Sequence, residues 1–167
     1  MQVIKVFLSL VVMSSCAWSS PYVDVVNSCR NGEPAAKEIG LTRLDGGAFV
    51  LKPNSGCEYQ YQIPFGGRNY GYSTCNDQQY LIVSDRFFLS SQAINHSIDK
   101  NISPGYPFAA GSTRFYSVLK GKESYICVTA PAYESGKGAA YTTFYLIKHE
   151  PNLATPEVDF YFLDEIK

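Results

Sequence analysis

The sequence predicts an all-β fold, an antiparallel β-sandwich of about eight to ten short strands with less than about a tenth of the chain in α-helix. Three observations carry this reading. Thirteen Tyr and ten Phe supply the aromatic side chains that suit a pleated, half-buried surface. Thirteen Gly and nine Pro interrupt the chain at short intervals, as many tight turns require. No segment of useful length carries apolar residues at helical spacing. A chain of 167 residues, 46% hydrophobic and 17% charged, makes a single domain with one sizeable core.

The first element is a targeting segment. Lys5 precedes the apolar run Val6 to Met13, and the small residues Ser14, Ser15, Cys16 and Ala17 follow, which is the order of a secretory signal. Residues 1–17 are therefore expected to be removed, leaving residues 18–167 as the secreted domain. The run is too short to be retained as a transmembrane helix, which needs about 20 apolar residues. The alternative is a lipoprotein acylated on Cys16, although Met13 stands where such signals carry Leu.

Without Cys16 the domain holds Cys29, Cys57, Cys75 and Cys127, an even number that in an exported chain reads as two disulfides. All three connectivities stay open. No C-x-x-C pair or neighbouring His accompanies them, so a metal site is not expected. Asn95 and Asn101 begin N-x-S triplets and are glycosylation acceptors if the source is a eukaryote.

Strands are expected at Tyr22–Val26, Phe49–Leu51, Cys57–Ile63, Gln79–Ser84, Arg86–Leu89, Arg114–Leu119, Ser124–Ala130, Ala139–Ile147 and Glu157–Leu163, each bounded by turn-forming residues. A Tyr-rich strand also follows Gly67. The alternation over Cys57–Ile63 puts Cys57, Tyr59, Tyr61 and Ile63 on one face and Glu58, Gln60 and Gln62 on a wet one. Tyr133 to Gly138 reads as a connection between strands, and Ser90 to Ala110 as the longest irregular loop.

The chemistry expected from these residues is binding. A formal net charge of −1 offers no basic stripe for nucleic acid. Gly136-Lys137-Gly138 lacks the frame that wraps phosphates, and no nucleophile elbow exists, so no cofactor and no acyl-transfer site is expected. His96 and His149 stand alone and read as solvated side chains. Asp77, Asp85, Glu123 and Glu134 are the candidates for a glycosidase pair, which needs two carboxyl groups roughly 5 to 9.5 Å apart. No spacing brings two of them together, and each reads as solvated punctuation at a strand end. Tyr59, Tyr61, Tyr70 and Tyr72 form a set whose rings, if exposed, would stack on sugar faces or a protein partner. For Tyr59 and Tyr61, which share a face with Cys57, a place in the core is an equal alternative.

Several of these residues stand in a pattern that resembles the thaumatin-like proteins, a secreted β-sandwich family of the pathogenesis-related class. Val25-Val26-Asn27-Ser28-Cys29 matches the family's opening V-V-N-x-C. Gly67-Arg68-Asn69-Tyr70-Gly71-Tyr72-Ser73-Thr74-Cys75 is similar to its G-R-x-W-G-R-T-x-C run, and Phe115-Tyr116-Ser117-Val118 to its F-Y-D-V strand. The likeness covers about a third of the chain, from Tyr22 to Asn76, plus that short echo. Cys29 and Cys75 stand at family positions; Cys57 is extra, and the chain is poor in cysteine for this family. Arg68 matches the first Arg of the family's acidic cleft, whereas Tyr72 and Ser117 replace its second Arg and an Asp. The resemblance implies a secreted monomer that binds a glycan such as β-glucan, or an extracellular protein, without catalysis. A weak β-glucanase or a membrane-active defence protein is the alternative it leaves.

Overall fold

The computed structural model describes residues 23–50, 56–97, 101–108, 111–131, 142–150 and 155–163. The targeting segment, Cys16, Leu51, the connection at Tyr133–Gly138, Glu134 and the start of the strand expected from Ala139 lie outside these residues. The described chain is all-β apart from one α-helix and a single 3₁₀ turn.

The helix, α1, spans Val23–Asn31 and is the main departure from expectation, since Tyr22–Val26 reads as a strand. Val25, Ser28 and Cys29 fall at helical spacing and form its buried stripe. Ser28 Oγ donates to the Asp24 carbonyl at 2.6 Å and accepts the Ala35 N–H at 2.9 Å, so one hydroxyl ties the helix to the chain that leaves it. Gly32, at φ 67°, closes the helix in the left-handed position and donates its N–H to the Ser28 carbonyl. Cooperation among these groups overrides the β preference of Val23, Val25 and Val26.

Eleven strands follow among the described residues: β1 (Ile39–Leu44), β2 (Ala48–Phe49), β3 (Cys57–Phe65), β4 (Arg68–Cys75), β5 (Gln78–Val83), β6 (Arg86–Leu89), β7 (Ile94–Asn95), β8 (Arg114–Lys120), β9 (Glu123–Pro131), β10 (Thr142–Lys148) and β11 (Val158–Leu163). They form a six-stranded sheet in the order β1-β8-β9-β10-β11-β7 and a five-stranded sheet in the order β2-β3-β4-β5-β6. All neighbours run antiparallel except β11 and β7. β1 and the two-residue β7 are additions to the expected list. Apart from β7 and the 3₁₀ turn at Ser90–Gln92, the described part of the 90–110 stretch is irregular, as expected.

The smaller sheet is a meander whose strands from β3 to β6 are joined by two-residue turns. Gly66-Gly67, Asn76-Asp77 and Ser84-Asp85 all have positive φ at both positions, the geometry whose twist matches that of the flanking strands. Gly71 faces the Tyr61 carbonyl so closely that a Cβ there has no room.

The two sheets pack face to face over one aromatic layer. Ile63, Tyr70, Tyr72, Leu81 and Val83 from the smaller sheet meet Phe115, Ile126, Val128, Tyr145, Ile147 and Phe160 from the larger. Tyr72 stacks between Tyr61 (5.4 Å), Phe108 (5.1 Å) and Phe115 (6.2 Å). Alternate residues of the larger sheet, Tyr116, Val118, Tyr125, Cys127, Phe144 and Leu146, point the other way and are covered by α1 through Val25 and Cys29. With both faces covered, β9 and β10 read as unbroken apolar runs, Tyr125-Ile126-Cys127-Val128 and Phe144-Tyr145-Leu146-Ile147.

Disulfides join Cys29 to Cys127 and Cys57 to Cys75. The first fastens α1 to the outer face of the larger sheet. The second links directly paired positions of β3 and β4, next to the register shift between Cys57 and Tyr59.

Candidate functional site

Of the expected binding residues, the fold takes two out of solvent. Tyr70 and Tyr72 are 0% and 1% exposed, because the inward face of β4 is the centre of the aromatic layer; as sugar platforms they are corrected to core residues. Tyr59 and Tyr61 are half-buried and pack against the same layer. The Tyr59 hydroxyl donates to the Phe108 carbonyl at 2.7 Å. The wet face of β3 is also drier than expected, with Gln60 buried.

Arg68 lies on the surface at the start of β4, where its Nη1 meets Asp85 Oδ2 at 3.4 Å. Asp85 also accepts the Asn69 N–H at 3.1 Å and the Asn69 side-chain amide at 2.8 Å. Slight desolvation pushes the Asp85 carboxyl up, but the two Asn69 donors and the Arg68 guanidinium together hold it below its ordinary value. The group ties the β5–β6 turn to β4. Beside it, Tyr70 Oη hydrogen-bonds Ser84 Oγ at 2.8 Å and His149 Nδ1 at closer range. His149 packs edge-on to Phe65 and against Gly66, so burial lowers its pKa and favours the neutral ring. This histidine is a link between the sheets rather than a solvated side chain.

The three expected carboxylates that are described, Asp77, Asp85 and Glu123, do not meet. Asp77 and Asp85 sit in the turns at opposite ends of β5, and Glu123 accepts the Tyr125 hydroxyl at 3.0 Å. Among the described residues no three His, Cys, Asp or Glu cluster as metal ligands, and no helix is long and apolar enough to cross a membrane. At the glycosylation triplets, the Asn95 amide is engaged within its loop, donating to the Ile102 carbonyl at 2.6 Å and accepting the Ser97 N–H at 2.9 Å. Asn101 is exposed.

A different constellation forms beside α1. A cleft of about 490 Å³ opens between the first turns of the helix and the β7–β11 edge, lined by Val23, Val26, Asn27, Ile94, His96, Glu157, Asp159 and Tyr161. Its size lies within the roughly 300 to 1,000 Å³ of small-ligand pockets. Phe144, Tyr161 and His96 form a continuous ring stack, with centroids 4.8 and 5.0 Å apart and planes within 16°. His96 Nε2 contacts Asp159 Oδ1 at 2.8 Å, which fixes the imidazole over Tyr161. Ile94 and Val23 are 55% and 49% exposed, so the rim offers apolar surface beside Glu157, Asp159 and Asn27.

Sequence reasoning missed Asn27, Glu157, Asp159 and Tyr161; His96 is exposed, as read from the sequence, but it does not stand alone, since it meets Asp159 and Tyr161. The signal was present in Glu157-Val158-Asp159-Phe160-Tyr161-Phe162, where Val158, Phe160 and Phe162 turn inward and the intervening residues turn to the helix side. The chain matches no family model, no curated protein and no solved structure.

Proposed function

We propose that the chain is an exported, non-catalytic binding protein, thaumatin-like in lineage, whose ligand is a glycan such as β-glucan held in the cleft beside α1. One observation carries this reading: a single cleft combines a stacked aromatic wall with converging carboxylate, imidazole and amide groups. A sugar ring offers C–H faces to the exposed apolar side chains Ile94 and Val23 at the rim, and hydroxyls to Asn27, Glu157 and Asp159. The lineage rests on the matches around Cys29, Arg68 and Phe115, of which the first lies on α1 rather than on a strand.

A second reading, a weak endo-β-glucanase, is favoured by the same cleft. Glu157, just before β11, and Asp159 within it stand two residues apart, about 7 Å by strand geometry, within glycosidase range. Against it, the Asp159 carboxylate already holds His96.

Binding isotherms with soluble β-glucan, run beside a reducing-sugar assay, test both. Binding without release of reducing ends, weakened about tenfold by Glu157→Gln through loss of one charge-assisted hydrogen bond, supports the binding module. Release of reducing ends that vanishes in Glu157→Gln moves the reading to the hydrolase. No binding, or equal binding by the variant, overturns the cleft assignment.

A further inference from the structure

At the opposite end of α1 the outer face of the larger sheet changes character. Along β8 the outward residues run Val118, Tyr116, Arg114; along β9 they run Tyr125, Cys127, Thr129; along β10 they run Leu146, Phe144, Thr142. Each strand turns from apolar to polar where the helix ceases to cover it. Arg114 and Thr129 are direct partners across β8 and β9. Arg30, in the last turn of α1, reaches the same place, held there by the adjacent Cys29–Cys127 bridge. Together with Asn31, Gly32 and Tyr116 these residues line a cavity of about 280 Å³.

Two features distinguish this cavity from an ordinary solvated strand end. Among the described residues its only charged lining groups are Arg30 and Arg114, with no carboxylate beside them. Four cations elsewhere are ion-paired: Arg43 with Asp45 at 3.3 Å, Arg68 with Asp85, Lys120 with Asp24 at 3.1 Å and Lys148 with Glu150 at 2.6 Å. Among the described residues neither Arg30 nor Arg114 has an acidic partner. The negative end of α1 accounts in part for Arg30, since a cation is favourable in a helix's last turn. It does not account for Arg114, which comes from the sheet, or for the convergence of both on one cavity.

We propose that this cavity is an anion site for a tetrahedral oxoanion, either free or carried as a sulfate ester on a glycan. Guanidinium groups present planar forks of N–H donors suited to oxoanions, and two of them approaching from different elements supply more donors than a planar carboxylate can accept. The Thr142 hydroxyl and the Asn31 amide add neutral donors at the rim. A volume of about 280 Å³ exceeds a bare oxoanion and leaves space for the group that bears it. The site is separate from the cleft at the first turns of α1 and does not depend on the β-glucan reading.

Calorimetric titration of the mature protein at constant ionic strength tests the proposal, with inorganic sulfate, a sulfated disaccharide and the same disaccharide unsulfated as probes. Saturable binding of sulfate or of the sulfated sugar is expected, weakened at least tenfold in Arg30→Gln and in Arg114→Gln and unchanged in Arg43→Gln. Sulfated sugar binding in competition with inorganic sulfate identifies the glycan-borne anion; inorganic sulfate binding alone identifies the free one. Should Arg30→Gln fail to fold, Arg114→Gln, an exposed residue at the start of β8, decides the matter with the same probes. Binding that does not saturate, that ignores both substitutions, or that is equal for the unsulfated sugar overturns the proposal, and the β-glucan isotherm is read independently of it.

Discussion

The two faces of the larger sheet are covered by different means. Its inner face meets a second sheet across a layer of large rings whose hydroxyls are handed to protein partners: Tyr59 to Phe108, Tyr70 to Ser84 and His149, and Tyr145 to the Gly105 N–H at 3.0 Å. Among the described residues its outer face meets a nine-residue helix presenting Val25, Val26 and Cys29, with Ala36 beyond the helix end. A helix that short is marginal in water and buries little, so packing alone fixes it weakly. The Cys29–Cys127 bridge takes over that task. Where apolar area is plentiful the fold uses shape; where it is scarce the fold uses a covalent bond.

Removing bridges and rings separately breaks this comparison into measurable parts. The largest expected effect is loss of the outer bridge. Cys29→Ala with Cys127→Ala opens a closure across 98 positions and costs about 4 to 5 kcal/mol of chain entropy, against about 3 kcal/mol for Cys57→Ala with Cys75→Ala across 18. Denaturant unfolding of the two double variants checks the order. An equal loss would mean that α1 is held by packing after all.

Tyr72→Ala is expected to cost about 3 to 5 kcal/mol, because it empties the centre of the inner layer. The same measurement with Val25→Ala, beneath the helix, should give a smaller loss. Near-ultraviolet circular dichroism should lose its aromatic signal in the first variant and keep it in the second.

A subtler effect is titration of the link between the sheets. His149 has its pKa lowered by burial from the ordinary 6.5, so above that value both folded and unfolded chains hold it neutral and its contribution is intact. As pH falls through 6.5 the unfolded chain takes up the proton first, and stability declines until the pH passes below the folded value. Melting temperatures followed from about pH 8 to about pH 5 should fall, and His149→Gln should flatten that slope. The smallest expected effect is that of Arg68→Ala, which removes a half-exposed ion pair and should cost no more than about 1 kcal/mol while leaving β-glucan binding unchanged. A tenfold loss of binding would return Arg68 to the ligand.

The strands were legible wherever composition and alternation agreed, as in Arg86–Leu89, which matches β6 to the residue. α1 was hidden because its Val residues favour strands locally, while the cues for helix, the Val25, Ser28, Cys29 spacing and the Asn31-Gly32 stop, are short. β1 was missed because Gly40, Thr42 and Arg43 leave it too few apolar residues to stand out beside β8. The cleft-lining residues were harder, since a cleft is made by elements distant in sequence. Nothing local joins Asn27, His96 and Asp159, which only the return of β11 beneath α1 brings together. The tyrosines misled for a related reason: Tyr70 and Tyr72 are polar enough to suggest a surface, yet alternation on a central strand sends both inward.

The pairing of β1 with β8 sets the order in which the molecule can assemble. Leu44 lies opposite Phe115, 71 positions later, and every strand of the smaller sheet is contained between them. From β3 to β6 that sheet closes through neighbours two residues apart, so its contacts are local and form early. β1 stays without a partner until β8 arrives, and at about 5 to 20 residues per second the interval during synthesis is several seconds. Throughout it, the exposed edge of β1 is open to other chains, which makes Ile39–Leu44 the segment where slow folding would turn into misassembly.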